Sequence, residues 1–140
     1  MRMYYAFSIR KDIYEQTKDN PKKLYHILES IYMMKSEDVV LGFKLFMRTA
    51  EEINKESINK VLNEINSDNI NYTSFNNTHT INDFLRDENT KITVCSSHIK
   101  IKSNKDIPNI LNDIKNIQNL FICDFINSDY FYLKDILLSV

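Results

Sequence analysis

The side chains with the greatest capacity for chemistry are two cysteines and two histidines, Cys95, His98, Cys123 and His79. Cys95 and His98 have the Cys-x-x-His spacing of half a zinc site. They flank Ser96-Ser97, however, and the alternating arms on either side predict a β-hairpin whose turn separates them. Each cysteine also lies in an apolar run, where burial makes a thiol unreactive. We therefore expect no metal site and no thiol nucleophile, and interpret the cysteines as buried and these histidines as surface residues.

Other catalytic arrangements find little support. The acidic pairs Glu51-Glu52 and Asp87-Glu88 are adjacent in sequence, so on regular structure they point apart and make a poor acid–base pair. Gly42 is the single glycine, and none of the glycine-rich phosphate or nucleophile motifs is present. Turns that need a positive φ must therefore use Asn or Asp. We predict that the chain is not an enzyme and uses no cofactor.

A basic cluster leaves a second interpretation open. Four lysines surround the predicted hairpin, Lys91, Lys100, Lys102 and Lys105, and the nearby rings of Tyr72 and Phe75 could stack on bases. Lysines with aromatic side chains are typical of single-stranded nucleic-acid binding. Lysines also protect a sheet edge from pairing, and a net charge of -1 provides no long-range attraction for phosphates. We favour no direct nucleic-acid contact, and keep a single-stranded nucleic-acid or RNA-binding module as the alternative.

The totals describe an ordinary globular chain. Its 140 residues fit one compact domain, 1–140, with a substantial core. The longest mostly apolar stretch, 120–126, is interrupted by Asp124 and is too short to cross a bilayer. Residues 1–10 do not resemble an export signal. We therefore expect a cytoplasmic protein that makes no membrane contact, with an oligomeric state that composition leaves open.

The first half reads as strand, helix, strand, helix. Aromatic and β-branched residues at 4–9 predict a central strand, and 12–18 a short helical turn. Asn20-Pro21 begins a helix whose apolar side chains recur with a helical period. Residues 39–47 fit both periods, and we interpret them as a strand because alternate residues are apolar. A helix follows at about 54–66.

The second half is richer in strands. Asn76-Asn77 predicts one hairpin and Ser96-Ser97 another. A helix should begin near Asp106, with Ile107, Ile110, Leu111, Ile114 and Ile117 along its buried stripe. A core strand at 120–126, a turn and 130–133 complete the chain. The predicted fold class is α/β (α+β), with a mixed β-sheet of about five to six strands packed by three to four helices.

Surplus aromatic residues suggest a contact surface. The sequence contains eight Tyr and eight Phe but no Trp. Tyr14, Tyr25 and Tyr32 lie around a helix whose apolar stripe other residues already supply. Some of these tyrosines should therefore be exposed, as tyrosines at protein interfaces often are. Alternatively, their rings are partly buried at the sheet edge.

The two ends of the chain contain a distinctive order of segments. At one end Tyr4-Tyr5 opens a strand that ends in IRKD at 9–12, and the helical run LYHILESIY follows at 24–32. At the other end a hairpin and an amphipathic helix lead to FICDF at 121–125, Asn127-Ser128 and YFYL at 130–133. This order resembles the sporulation inhibitor of replication (SirA) family of spore-forming bacteria.

The resemblance implies a non-enzymatic inhibitor of replication initiation during sporulation. Members of that family bind the N-terminal domain of the replication initiator DnaA and prevent new rounds of replication. Their contact surface includes side chains just after the first strand and on the next conserved strand. The corresponding positions in this chain are Ile13, Tyr14 and Thr17, followed by Lys44 and Phe46.

Overall fold

The computed structural model describes residues 1–137 and contains one eight-stranded sheet with helices on both sides. The strands are β1 (Arg2–Ile9), β2 (Ala50–Glu51), β3 (Tyr72–Phe75), β4 (Thr78–Asp83), β5 (Glu88–Val94), β6 (Ile99–Ser103), β7 (Leu120–Asp124) and β8 (Asp129–Tyr132). The helices are α1 (Lys11–Thr17), α2 (Pro21–Tyr32), α3 (Val39–Thr49), α4 (Lys55–Ile65) and α5 (Leu133–Leu137), with 3-10 helices at Ser36–Asp38 and Asn109–Ile114. The predicted α/β class is confirmed, with more strands than expected.

The sheet has the order β3-β4-β5-β6-β1-β7-β8, and β2 pairs with the C-terminal end of β1. Residues 4–9 are therefore central, as predicted. Every ladder is antiparallel, so the prediction of a mixed sheet is wrong. The difference arises at residues 39–47. A strand there could have paired in parallel with β1, with α2 in the crossover connection, but these residues form helix α3 instead.

Side chains alternate between two sides of the sheet, which we call the α4 side and the α2 side. On the α4 side, Tyr4, Ala6 and Ile122 belong to a buried cluster that α4, the 3-10 helix Asn109–Ile114 and Leu133 cover. On the α2 side, Phe7 and Phe121 belong to a second cluster that Leu24, Leu28 and Phe46 cover. That second cluster lies over β1, β7 and β8, so the part of the α2 side formed by β3–β6 is left open.

Local sequence signals explain most of the remaining elements. Helices α1, α2 and α4 match the predicted helical stretches, and both predicted hairpins form, as β3–β4 and β5–β6. Asn76, Asp87, Asn119 and Ser128 adopt φ values of 50–54°, so polar residues replace glycine in these turns.

The helix predicted from Asp106 is shorter and tighter than expected, because only Asn109–Ile114 is helical and it is a 3-10 helix. Pro108 has an extended ψ of 144° and the Asn112 side chain donates to the Asn109 carbonyl. Such local side-chain hydrogen bonds compete with regular helical bonding. Ile110, Leu111 and Ile114 are nevertheless buried as predicted, whereas Ile107 is 45% exposed.

Candidate functional site

Helix α3 overturns the strand predicted at 39–47. Its buried residues are Gly42, Phe46 and Thr49, which follow the i, i+4, i+7 spacing of one helical stripe. Phe46 packs against Phe7 with ring centroids 6.5 Å apart. The alternating apolar residues that suggested a strand mostly point away from the core, so their two-residue period was coincidental.

The outward surface of α3 is strongly apolar. The exposed apolar side chains on this helix, which we call the apolar patch, are Val39, Val40, Leu41, Phe43 and Met47. Phe43 is 59% exposed and Val39 66% exposed. A helix that is apolar on nearly every side is normally buried, and a contiguous exposed apolar surface marks an interaction site.

A groove runs beside the apolar patch, between α3, the C-terminal part of α2 and β1. Its volume is about 420 Å³ and its lining is mainly apolar, with Leu28, Ile31, Val39, Phe43 and Phe46 among the residues that contribute. A volume of this size is within the range of ligand-binding clefts. Gly42 also lines the groove, and a Cβ atom there would lie 3.2 Å from the Met34 Sδ.

Aromatic rings line one end of the groove. Tyr5 lies 5.1 Å from Tyr32 and 5.5 Å from His98, measured between ring centroids, and Tyr32 stacks on Phe125 at 4.5 Å. Burial raises the pKa of Tyr5 to about 12, with a contribution from the hydrogen bond to Tyr32. Burial also lowers the pKa of His98, as does the Lys100 charge. At neutral pH the Tyr5 and His98 rings at this end are therefore uncharged.

The five predicted partner-binding residues lie on two helices rather than on a helix and a strand. Ile13 and Tyr14 on α1 are half-buried against the core, and Thr17 is buried with its hydroxyl donating to the Ile13 carbonyl at 2.7 Å. On α3, Phe46 is buried but Lys44 is exposed. Within this set, Lys44 is the residue that is freely accessible to a partner.

Two tyrosines near α2 differ in exposure. Tyr25 is buried and stacks on Tyr130 at 4.9 Å, whereas Tyr32 is 48% exposed at the groove. The expectation that some tyrosines of this region remain exposed is thus met by Tyr32.

The cysteines and histidines do not form a shared site. Cys123 is fully buried, and burial raises the pKa of its thiol, while Cys95 is half-buried. The prediction that His79 lies at the surface is wrong, because its ring is buried between the Asn59 Oδ1, 2.7 Å from Nε2, and the Tyr72 hydroxyl, 2.5 Å from Nδ1. Within residues 1–137, no three His, Cys, Asp or Glu residues are placed to share a metal ion.

The lysines of the second interpretation do not line the groove, although Lys100 lies directly opposite Tyr5 at the groove's aromatic end. Lys91, Lys100 and Lys102 are on strands β5 and β6 and point to the open part of the α2 side, while Lys105 is in the loop after β6. Phe75 on β3 is 79% exposed, and Tyr72 is half-buried on the opposite side of the sheet.

Sequence reasoning missed the apolar patch. Eight of the 11 residues of α3 are apolar if Gly42 is included, and Lys44, Arg48 and Thr49 interrupt them only toward the C-terminal half. Such a run predicts burial and contains no signal that it would lie at the surface. The sequence signal that could have indicated a helix here was the 3.6-residue period through Val39, Phe43 and Phe46.

Together the fold and the groove define an α/β domain with an apolar helix displayed beside one side of its antiparallel sheet. The chain matches no protein-family model and no curated protein. Among the helices of residues 1–137, none combines the length and apolar content required to span a membrane.

Proposed function

We propose that this chain is a protein-binding module, without catalytic activity, that captures its partner with the apolar patch and the adjoining groove. The observation that supports this proposal is the exposure of Val39, Val40, Leu41, Phe43 and Met47 on one helix. Water contact with so much apolar surface is unfavourable, and covering it with a partner releases that free energy.

The partner we propose is the N-terminal domain of the replication initiator DnaA, and the consequence of binding is that replication does not start during sporulation. The resemblance of both ends of the chain to the sporulation inhibitor of replication family supports this choice. Lys44 is one of the positions that the resemblance assigns to the contact, and it is exposed on the same helix as the apolar patch. We further propose that the protein acts in the bacterial cytoplasm, where an initiator is found.

Phe43→Ser tests the interface directly. A phenylalanine buries about 150–250 Å² when fully covered, so covering the 59% of Phe43 that is exposed removes about 120 Å² from water. At about 25 cal/mol per Å² this area corresponds to about 3 kcal/mol, although binding costs consume part of it. We expect the affinity for the purified initiator domain to fall at least about 30-fold, which corresponds to a loss of about 2 kcal/mol, as measured by isothermal titration calorimetry.

A matched control is Phe84→Ser, because Phe84 is 95% exposed in the turn between β4 and β5. This variant should bind like the unmodified protein. Both substitutions alter exposed side chains, so thermal melts should change little. Equal affinity for the Phe43→Ser variant would refute the interface. If the unmodified protein fails to bind the initiator domain, the choice of partner is wrong.

A further inference from the structure

The open part of the α2 side carries two rows of side chains across four strands. Directly paired residues share a side of the sheet, so the observed register defines both rows. The first row runs through Phe75, Thr78, Thr93 and Lys100, and the second through Thr73, Thr80, Lys91 and Lys102. We call these eight residues the lysine face. All eight are half-buried or exposed.

The charge of the lysine face has one sign. None of its eight residues is acidic, and Lys91, Lys100 and Lys102 form no ion pair with a carboxylate of residues 1–137. Glu88 and Thr90 belong to the opposite side, where the Thr90 hydroxyl donates to the Glu88 carboxylate at 2.7 Å. A net charge near zero for the whole chain therefore coexists with a locally basic surface.

The pairing of like charges is unusual for a sheet. Lys91 on β5 lies directly opposite Lys102 on β6, and Lys100 follows on the same side of β6. Like charges directly opposite one another destabilise a sheet. A bound polyanion would remove that penalty, because its phosphates would lie between the ammonium groups.

Aromatic and hydroxyl groups complete the surface. Phe75 is 79% exposed at the outer end of the first row, and the next residue in that row beyond Lys100 is Tyr5 on β1. Exposed rings stack on bases of any sequence. The threonines between them supply hydroxyls of the kind that contact phosphate and sugar oxygens.

We propose that the lysine face binds single-stranded nucleic acid, with phosphates on Lys91, Lys100 and Lys102 and a base stacked on Phe75. A single strand fits better than a duplex because its unstacked bases can reach an exposed ring. An acidic protein segment would satisfy the lysines but would leave Phe75 without a planar partner. This surface is distinct from the apolar patch, and the proposal does not depend on the identity of the protein partner.

Fluorescence anisotropy with labelled 20-nucleotide oligo-dT and oligo-U tests this surface at 50 and 200 mM salt. Three phosphate contacts to a single strand predict a slope of log K against log salt of about -2, so affinity should fall roughly 20-fold across this range. Binding of both probes indicates recognition without the 2′-hydroxyl, whereas preference for oligo-U identifies RNA as the ligand. Failure of both to bind at 50 mM would overturn the proposal.

Two substitutions should act differently on binding. Lys102→Glu should weaken binding at least about tenfold at 50 mM and make the salt slope shallower by about 0.7, because one phosphate contact is lost. Phe75→Ser should weaken binding roughly 5- to 150-fold with an unchanged salt slope, because it removes stacking and no charge.

Three controls separate this site from general charge effects. Lys115→Glu makes the same charge change beyond the 3-10 helix Asn109–Ile114 on the α4 side, and Phe84→Ser removes another exposed ring. Neither should alter nucleic-acid binding, and Phe43→Ser should also leave it unchanged. An equal loss with Lys115→Glu would show that net charge alone governs binding, and would overturn the proposal. The proposal would also be overturned if polyglutamate competed as well as unlabelled oligonucleotide and Phe75→Ser had no effect on binding.

Discussion

The opposed lysines of β5 and β6 make a prediction about stability that needs no ligand. Lys102→Glu would turn two repulsions, with Lys91 across the ladder and with Lys100 along the strand, into two attractions. A cross-strand charge pair contributes about 0.2–1 kcal/mol, and two unit charges 6 Å apart in water interact by about 0.7 kcal/mol. Since these long side chains can partly avoid one another, we expect the variant to be more stable by about 1 kcal/mol at low salt.

Urea unfolding measures this gain. With a slope of about 2 kcal/mol per molar urea, the midpoint should rise by about 0.5 M in 20 mM salt. In 1 M salt, where the screening length is about 3 Å, the shift should shrink by more than half. Lys115→Glu carries the same charge change away from the lysine face and should show no such gain.

A double-mutant cycle tests the register itself. Lys91→Glu alone should also stabilise the protein, but the combination with Lys102→Glu again opposes like charges. The double variant should therefore fall short of the summed single effects by about 1 kcal/mol or more, which is the signature of directly interacting residues. Additive effects of the two substitutions would refute the pairing of Lys91 with Lys102.

Two further predictions concern the groove and the buried histidine. Gly42→Ala should raise the free energy of unfolding by up to about 1 kcal/mol, because alanine stabilises a helix interior relative to glycine. The new Cβ atom would lie 3.2 Å from the Met34 Sδ, and the flexible Met34 side chain can move away. A lower free energy of unfolding in urea would show that Met34 cannot move. Burial holds the pKa of His79 below its usual value, so the unfolded chain binds a proton at a higher pH than the folded chain does. The free energy of unfolding should therefore be greatest above about pH 6.5 and should fall as the pH falls. The urea midpoints measured at pH 7, 6 and 5 should fall less steeply for His79→Gln than for the unmodified protein. The lowered pKa of His98 contributes a pH dependence of the same sign, and Asp113, whose pKa burial raises, contributes one of the opposite sign.

Much of the fold was predictable because its strands and turns have short-range causes. The β5–β6 hairpin follows from two alternating arms around Ser96-Ser97, and β1 from its aromatic and β-branched residues. The strand count was less accessible, since β2 has two residues and β3 and β8 have four each. Such short strands depend on neighbours that are distant in sequence, and their local signal is weak.

Residues 39–47 show why the arrangement of the sheet was harder to predict. In an apolar segment of this length, a period of two and a period of 3.6 select overlapping residues, so alternation cannot distinguish a strand from a helix. The choice affects the topology, because a strand after α2 could have paired in parallel with β1, with the helices as the crossover. The observed helix instead leaves β1 between β6 and β7, both antiparallel to it.

The candidate sites depended on different kinds of information. Lys91, Lys100 and Lys102 were singled out from the sequence, because alternation in a hairpin places such residues on one side. The other residues on that side, including Phe75, could be identified only from the register of the four strands β3–β6. The predicted contact residues Thr17 and Phe46 are buried, and periodicity alone could not show how deeply α1 and α3 pack.

The failure at α3 has a physical meaning of its own. Apolar side chains are buried in the two clusters of this protein, whereas Val39, Val40, Leu41 and Phe43 are more than half exposed. Local rules are most often broken at functional sites, where a protein retains an unfavourable feature because it serves binding. A helix needed only to cover the sheet could carry polar residues outside the stripe formed by Gly42, Phe46 and Thr49. The apolar outer surface of α3 therefore supports the proposal that a partner covers this helix.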